Sequence, residues 1–203
     1  MISAIILAAG RSKRMGEQKL LMPFRGMAMV DFVIKTVLSC KFDGTFAVVS
    51  RETMDCLAPI EGVDYIVNPD PDRGQMSSLH CGLSALPFNS SFAVLLADKP
   101  AVTAEQVLDL CRRFQSLNHK SALVPLKGGA PGHPAFYSHL WRGRFLFSVN
   151  GLAGRDTLFQ YKEDVEWLEE DANDNVYENC FADVDTPEDY RKLCSFNPDT
   201  QGL

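Results

Sequence analysis

The stretch Leu7–Leu21, LAAGRSKRMGEQKLL, holds two glycines and four basic side chains but only one acid. It overlaps the apolar run SAIILAA, which predicts a short buried strand that ends at a glycine. A glycine-bearing loop after the first strand of an open α/β sheet lies at the carboxyl edge, where such folds bind their ligands. Glycine lets backbone N–H groups approach a phosphate, and basic side chains add charge-assisted contacts. The stretch therefore predicts a triphosphate-binding loop.

Two familiar phosphate-binding loops do not match this stretch. A Walker A loop has four residues between its glycines and then Lys and Ser or Thr, whereas here five residues separate Gly10 from Gly16 and Glu17 follows. The dinucleotide fingerprint G-x-G-x-x-G is absent as well. The alternative is a solvated basic loop without a ligand. We disfavour it because the loop directly follows a buried strand.

Apolar runs alternate with helical patterns along the chain. Further strands are predicted at TFAVVS, DYIVN, SFAVLLAD and SALVPL. Helices are predicted around residues 30–38, at MSSLHCGLSAL, and after the capping box TAEQ. This alternation indicates the α/β class, with a three-layer, Rossmann-like, mostly parallel sheet that carries helices on both faces.

The pattern loosens beyond Gly128. HPAFYS and DVEWLEED predict two more strands, which we expect to be antiparallel, and TPEDYRKL predicts a helix with a threonine cap and proline at its first position. We expect one domain over residues 1–195 and a loose tail over residues 196–203.

Composition excludes several classes of function. The net charge of −6 and the pI near 5.2 argue against a general nucleic-acid binder. No run approaches 18 apolar residues, so no membrane span is expected, and the charges follow the apolar N-terminal run instead of preceding it as in a signal peptide. The six cysteines are scattered without a C-x-x-C pair, which favours reduced thiols in a cytoplasmic protein.

The opening stretch resembles the signature L-A-A-G-x-S-x-R-M-G-x-x-K-x-L of the MobA-like nucleotidyltransferases, and within them it is most similar to the molybdenum-cofactor cytidylyltransferases. Further similar stretches are NPDPDRGQMSSLHCGL, LLADKPAVT, GHPAFY and DVDTPEDY. The resemblance implies a fold of the nucleotide-diphospho-sugar transferase type. It implies an Mg²⁺-dependent enzyme that joins a nucleotide from an NTP to a phosphomonoester acceptor, here molybdopterin cofactor, with a molybdoenzyme as a possible partner.

The resemblance also implies roles for residues at matching positions. Ala8-Ala9-Gly10 favours CTP, because the guanylyl branch of the family carries Ala-Gly-Gly there. The implied catalytic residues are Arg14, Lys19 and Asp98. The implied Mg²⁺ ligands are Asp98 and Asp185. The implied nucleotide-binding residues are Leu7, Ala8, Ala9, Gly10, Arg11, Ser12, Arg14, Lys19 and Ser78.

The residues themselves support part of this assignment. Asp98 ends a predicted apolar strand, so its carboxylate should emerge at the same sheet edge as the glycine loop. Mg²⁺ prefers one or two carboxylates together with phosphate oxygens and water. Asp185 precedes a helix start, and its alternative role is to favour that helix electrostatically.

Two departures from the family pattern concern the metal and the acceptor. Lys99 places a cation beside the expected metal ligand, where it could hold a phosphate or weaken the metal site. The stretch GLAGRD lacks an aspartate that the cytidylyl branch often carries, although Gly154 and Arg155 remain. We expect His133 and Arg155 on the acceptor side; the alternative for His133 is a hydrogen bond within a turn.

The expected reaction is attack of an acceptor phosphate on the α-phosphorus of the NTP, with release of pyrophosphate. The acceptor phosphate is largely dianionic at pH 7, so no general base is required. Two other functions stay open. One is a nucleotidyltransferase that acts on a sugar or polyol phosphate, and the other is a non-catalytic protein that binds the cofactor and delivers it to a molybdoenzyme.

Overall fold

The computed structural model describes residues 1–10, 19–148, 154–169 and 175–195. Its strands are β1 (Ile2–Ala8), β2 (Pro23–Phe24), β3 (Met27–Ala28), β4 (Gly44–Val49), β5 (Asp64–Val67), β6 (Ser91–Leu96), β7 (Ala122–Lys127), β8 (Ala130–Pro131), β9 (Ala135–Tyr137) and β10 (Val165–Glu169). Its α-helices are α1 (Met29–Ser39), α2 (Arg51–Cys56), α3 (Gln75–Ala85), α4 (Ala104–Gln115), α5 (Leu140–Leu146), α6 (Gly154–Gln160) and α7 (Pro187–Ser195). Short 3₁₀ helices cover Lys19–Leu21, Pro71–Arg73, Lys162–Asp164 and Asn175–Cys180.

The main sheet has the strand order β10-β7-β9-β6-β1-β4-β5, and β8 pairs with β7. The central pairs β1–β6, β1–β4 and β4–β5 are parallel, which confirms the predicted mostly parallel sheet. Strand β9 lies antiparallel between β6 and β7, as predicted for HPAFYS.

The expected antiparallel orientation of DVEWLEED is wrong. Strand β10 pairs in parallel with β7, with Val165 opposite Ala122. Helices α5 and α6 separate β9 from β10 and return the chain to the sheet edge at which β9 ends. Strand β10 therefore runs opposite to β9 and in the direction of β7.

Two apolar layers enclose the sheet, and strand β1 contributes to both. Its residues are buried throughout. Ala4 and Ile6 pack in one cluster with the apolar faces of α1 and α4. Ile5 and Leu7 pack in the other cluster with α3, α5 and α6. Because successive strand residues point to opposite faces, this alternation produces the predicted three layers.

Helix α3 lies unusually close to β1 because of one glycine. A Cβ atom on Gly82 would lie 2.6 Å from Cγ2 of Ile5 and 3.2 Å from Cγ2 of Val48. The missing side chain lets the helix pack directly on the two central strands. This packing holds the N-terminal turn of α3 near the sheet edge at which β1 ends.

The segment 181–186 connects the last 3₁₀ helix to α7 and is called the C-terminal strap below. Its Val184 is buried in a small third cluster with Phe24 and Met29. Thr186 caps α7, since its hydroxyl oxygen accepts the Asp189 N–H at 3.2 Å. Helix α7 begins at Pro187, as TPEDYRKL predicts.

Two other expectations concern membrane spans and the extent of the domain. Among the described residues, no helix is both long and apolar enough to cross a bilayer. The single domain over residues 1–195 stays a prediction, and the expected tail at residues 196–203 lies outside the described residues.

Candidate active site

The ends of β1 and β6 define the edge of the sheet that carries the candidate site. These neighbouring strands are parallel, with Leu7 opposite Leu96. The Ala97 N–H continues the ladder and donates to the Leu7 carbonyl at 3.1 Å. Parallel strands end at the same edge, so Gly10 and Asp98 emerge there together, as the sequence predicts.

Lys19 is the centre of this site. Its Nζ lies 3.0 Å from Oδ2 of Asp98 and 3.1 Å from Oδ1 of Asp185. The residue is only 8% exposed. Burial lowers the pKa of Lys19, but the attraction and hydrogen bonds of the two carboxylates outweigh it, and the net pKa is raised. Lys19 is therefore a buried cation at neutral pH, shared by two carboxylates.

The two aspartates belong to distant parts of the chain but lie close in space. Because both distances end on the same nitrogen, the two carboxylate oxygens are no more than about 6 Å apart. Thr186 and Asp189 cap α7 reciprocally, since the Asp189 carboxylate also accepts the Thr186 N–H at 2.8 Å. The Asp185 carboxylate thus faces Lys19, which favours a place in the site over a role confined to the helix end.

The donor set fits a magnesium ion. Mg²⁺ in nucleotide-binding sites takes one or two carboxylates and completes its shell with water and phosphate oxygens. Asp98 and Asp185 form such a pair, and the ammonium group of Lys19 shows that both can approach one cation at the same time. Within the described ranges, no group of three or more His, Cys, Asp or Glu residues could hold a metal. That part of the chain therefore offers no alternative metal site with more protein ligands.

The first loop is described only up to Gly10. Ala8 and Ala9 are buried, whereas Gly10 is exposed, and apart from its chain neighbours no heavy atom of the described residues lies within 4 Å of a Cβ built on it. An exposed Ala9 methyl group would make the base pocket narrower and so disfavour a purine. Ala9 is only 1% exposed, however, so its methyl group presents almost no surface to a base. Leu7 is also buried, so a nucleotide contact at these positions falls to backbone groups. Arg11, Ser12 and Arg14 lie outside the described residues.

Ser78 is held from behind by a residue that sequence reasoning missed. Asn68, which follows β5, donates from Nδ2 to the hydroxyl oxygens of Ser77 and Ser78, at 2.9 Å each. Both Asn68 and Ser78 are buried. The predicted contact of Ser78 with the base or ribose stays a prediction. The signal for Asn68 was its place as the polar last residue of the predicted strand DYIVN, at the start of the stretch NPDPDRGQMSS.

Lys99 forms an ion pair with the C-terminal strap. It is 5% exposed, and its Nζ lies 2.6 Å from Oδ1 of Asp183 in the C-terminal strap. Its ammonium group therefore pairs with the strap, and the two roles considered from the sequence, holding a phosphate or weakening the metal site, stay predictions. Asp183 was missed, although the alternation Asp183-Val184-Asp185 indicates an extended segment with both acids on one side.

The two residues expected on the acceptor side have different surroundings. His133 is partly buried beside Lys99. Burial and then the Lys99 charge lower its pKa to about 4, against the opposing effect of Asp98, so the imidazole is neutral at pH 7. Arg155 donates to the Gly129 carbonyl at 3.1 Å and lies over the Phe159 ring. Both acceptor roles stay predictions, and residues 149–153 lie outside the described residues.

A sequence model described as the MobA-like NTP transferase domain matches residues 4–165. The chain belongs to the MobA-like NTP transferase family. It is 28% identical over 196 residues to the molybdenum cofactor cytidylyltransferase of Escherichia coli (strain K12), with 93% of each chain covered. It is 27% identical over 209 residues to the purine catabolism protein PucB of Bacillus subtilis (strain 168), with 92% of each covered. The resemblance seen in the sequence is thus confirmed, and the chain is a nucleotidyltransferase by family.

Solved structures agree on the fold. Rv0371c of Mycobacterium tuberculosis H37Rv superposes with a TM-score of 0.76 at 23% identity, covering 96% of this chain and 97% of that one. A second structure of Rv0371c, in complex with manganese, gives a TM-score of 0.71 at 21% identity, with 95% and 97% covered. The predicted nucleotide-diphospho-sugar transferase type of fold is confirmed.

Proposed function

We propose that this nucleotidyltransferase moves CMP from CTP to the terminal phosphate of molybdopterin cofactor and releases pyrophosphate. The observation that carries the proposal is the cluster of Lys19, Asp98 and Asp185 at the end of β1, where the fold presents a nucleotide-binding edge. The cytidylyltransferase named among the relatives supports CTP and the cofactor as substrates. The relative crystallised with manganese supports a divalent metal.

The chemistry divides between the acceptor and the site. The acceptor phosphate is largely dianionic at pH 7 because its second pKa is about 6. One of its oxygens attacks the α-phosphorus of CTP, a new phosphoanhydride bond forms, and the bond to the pyrophosphate group breaks. No side chain has to remove a proton. Catalysis then consists of positioning and of neutralising the charge on the phosphates.

The described residues supply this neutralisation in two ways. Lys19 is a buried, fully protonated ammonium group at the edge where the triphosphate would lie, and charge-assisted hydrogen bonds from such groups are strong. Asp98 and Asp185 would hold Mg²⁺, which when bound stabilises negative charge on phosphate oxygens. The other site residues act through shape: Gly10 leaves the backbone open to a ligand, and Asn68 fixes the first turn of α3.

A panel of nucleotides and acceptors tests this proposal. Pyrophosphate release is measured with CTP, GTP, ATP and UTP, each offered with molybdopterin cofactor or with a sugar or polyol phosphate, with and without Mg²⁺. We expect release only with CTP, the cofactor and the metal together. A preference for GTP would contradict the cytidylyl assignment, and turnover with a sugar phosphate would replace the acceptor. Tight binding of the cofactor nucleotide without any release would favour a delivery protein.

A further inference from the structure

The C-terminal strap reaches the site through three consecutive residues. Asp183 pairs with the Lys99 ammonium group at 2.6 Å. The Val184 N–H donates to the Asp98 carbonyl at 3.2 Å. Asp185 contacts Lys19 at 3.1 Å. The strap thus docks on Asp98 and Lys99, the second and third residues after β6. Its position determines where the Asp185 carboxylate lies.

We propose that Lys99 is a positioning residue for the metal site: its buried ammonium group holds Asp183 and thereby sets the Asp185 carboxylate opposite Asp98. This inference rests on the proposed function, since it assigns Asp185 to the divalent cation. Lys99 would touch neither the nucleotide nor the metal. It would act only through the strap.

Burial supports an internal role for Lys99. Its side chain is 5% exposed and lies among apolar residues of the α1 and α4 layer, including Val33 and Val102. A buried ammonium group without a partner is costly, so the pair with Asp183 is strongly favoured once the strap is in place. A neighbouring imidazole, that of His133, is neutral at pH 7 and brings no competing charge.

Without the Lys99–Asp183 pair, the backbone of the strap would orient Asp185 less firmly. Val184 is anchored by one hydrogen bond and by its burial with Phe24 and Met29. The strap has no strand ladder to fix its rotation, since residues 182–185 form no regular element. The Lys99–Asp183 pair adds a second anchor two residues from Asp185. Groups hydrogen-bonded directly to a metal ligand typically contribute about 10- to 100-fold to metal affinity, and Lys99, which acts through Asp183, is expected at the lower end of that range.

The test is a titration of the full chain with Mn²⁺, in the presence of CTP and without an acceptor. The electron paramagnetic resonance signal of free Mn²⁺ measures how much of the metal is bound. Wild type and Asp98→Asn show first whether the proposed metal site exists. Lys99→Met removes the charge at similar volume, Lys99→Arg keeps it, and the double variant Lys99→Met/Asp183→Asn removes both charges. Tyr177→Phe is the matched control, because it breaks a hydrogen bond from the preceding 3₁₀ helix to Asp109 on α4, away from the site.

We expect about a 10-fold weaker Mn²⁺ affinity for Lys99→Met and the same loss for the double variant, without further additive loss. The double variant should keep the wild-type melting temperature, because a buried ion pair is often replaced by uncharged groups at little cost. Lys99→Arg should restore affinity to within about 3-fold of wild type, and Tyr177→Phe should leave affinity unchanged.

The outcomes separate the two claims. If Asp98→Asn binds Mn²⁺ as tightly as wild type, the proposed metal site is wrong. If Asp98→Asn loses affinity but the folded double variant keeps it, the metal site stands and the role of Lys99 is wrong. If Lys99→Met alone fails to fold, the double variant decides in the same way.

Discussion

The two halves of the candidate metal site are built differently. Asp98 follows β6, a central strand that is paired on both sides, with β1 and with β9. Asp185 belongs to the C-terminal strap, which pairs with no strand in the described part of the chain and is held by Lys99, by the Asp98 carbonyl and by the burial of Val184. The sheet therefore places one carboxylate through its backbone ladder. The other depends on side-chain contacts, so it should be the more easily displaced.

The largest effect is expected from removing the charge on the sheet side. Asp98→Asn keeps the shape of the residue but removes a carboxylate from the cation site. We expect kcat/KM for CTP to fall by at least about 1,000-fold, in a variant that still folds because Asp185 remains as a partner of the buried Lys19 ammonium group. Pyrophosphate release measures this, and Asp64→Asn on the edge strand β5 is the control. A loss below about 10-fold would place the metal elsewhere.

A smaller effect is expected from the strap side. Asp185→Asn should lower kcat/KM by about 300-fold, because water can replace one ligand of Mg²⁺ while Asp98 retains the ion. Raising the Mg²⁺ concentration should recover part of the activity for this variant and little for Asp98→Asn. Equal losses with no recovery in either variant would remove the difference between the two halves.

Lys19 contacts both halves of the site, and its removal should lower activity less than either aspartate substitution does. Lys19→Ala removes one charge-assisted hydrogen bond to the triphosphate, for which about 1.5–3 kcal/mol corresponds to roughly a 10- to 150-fold fall in kcat/KM. It also leaves two carboxylates facing each other, so added Mg²⁺ should raise the melting temperature of the variant more than that of wild type. The control is Lys35→Ala on the exposed face of α1. Wild-type turnover in folded Lys19→Ala would argue against a role in the site.

The smallest expected effect is on stability and concerns the contact between α3 and β1. Gly82→Ala forces a methyl group into Ile5 at the α3–β1 contact, and we expect a loss of about 1–3 kcal/mol in the free energy of unfolding. Gly143→Ala on α5 is the matched control, since beyond the backbone of its own helix no heavy atom of the described residues lies within 4 Å of a Cβ there; it should be neutral or stabilise by up to about 1 kcal/mol. Urea unfolding measures both, and equal stability of the two variants would contradict the close packing.

The sequence predicts the sheet side of the site better than the strap side, for a physical reason. Strand β6 is a continuous apolar run, and such a run indicates both the strand and the edge at which Asp98 emerges. The partner of Lys99 depends on how a segment without regular structure packs, which no local pattern specifies. The predicted direction of β10 was wrong for a similar reason. That direction follows from the two helices between β9 and β10 and not from the strand's own residues.

The central claim is that Asp98 and Asp185 share one divalent cation. Anomalous diffraction from crystals grown with Mn²⁺ and CTP tests it directly. We predict one anomalous peak bound at about 2.1–2.2 Å by a carboxylate oxygen from each aspartate, with the Lys19 ammonium group on a phosphate oxygen. A peak held by the triphosphate and Asp98 alone, with Asp185 still paired to Lys19, would contradict the claim.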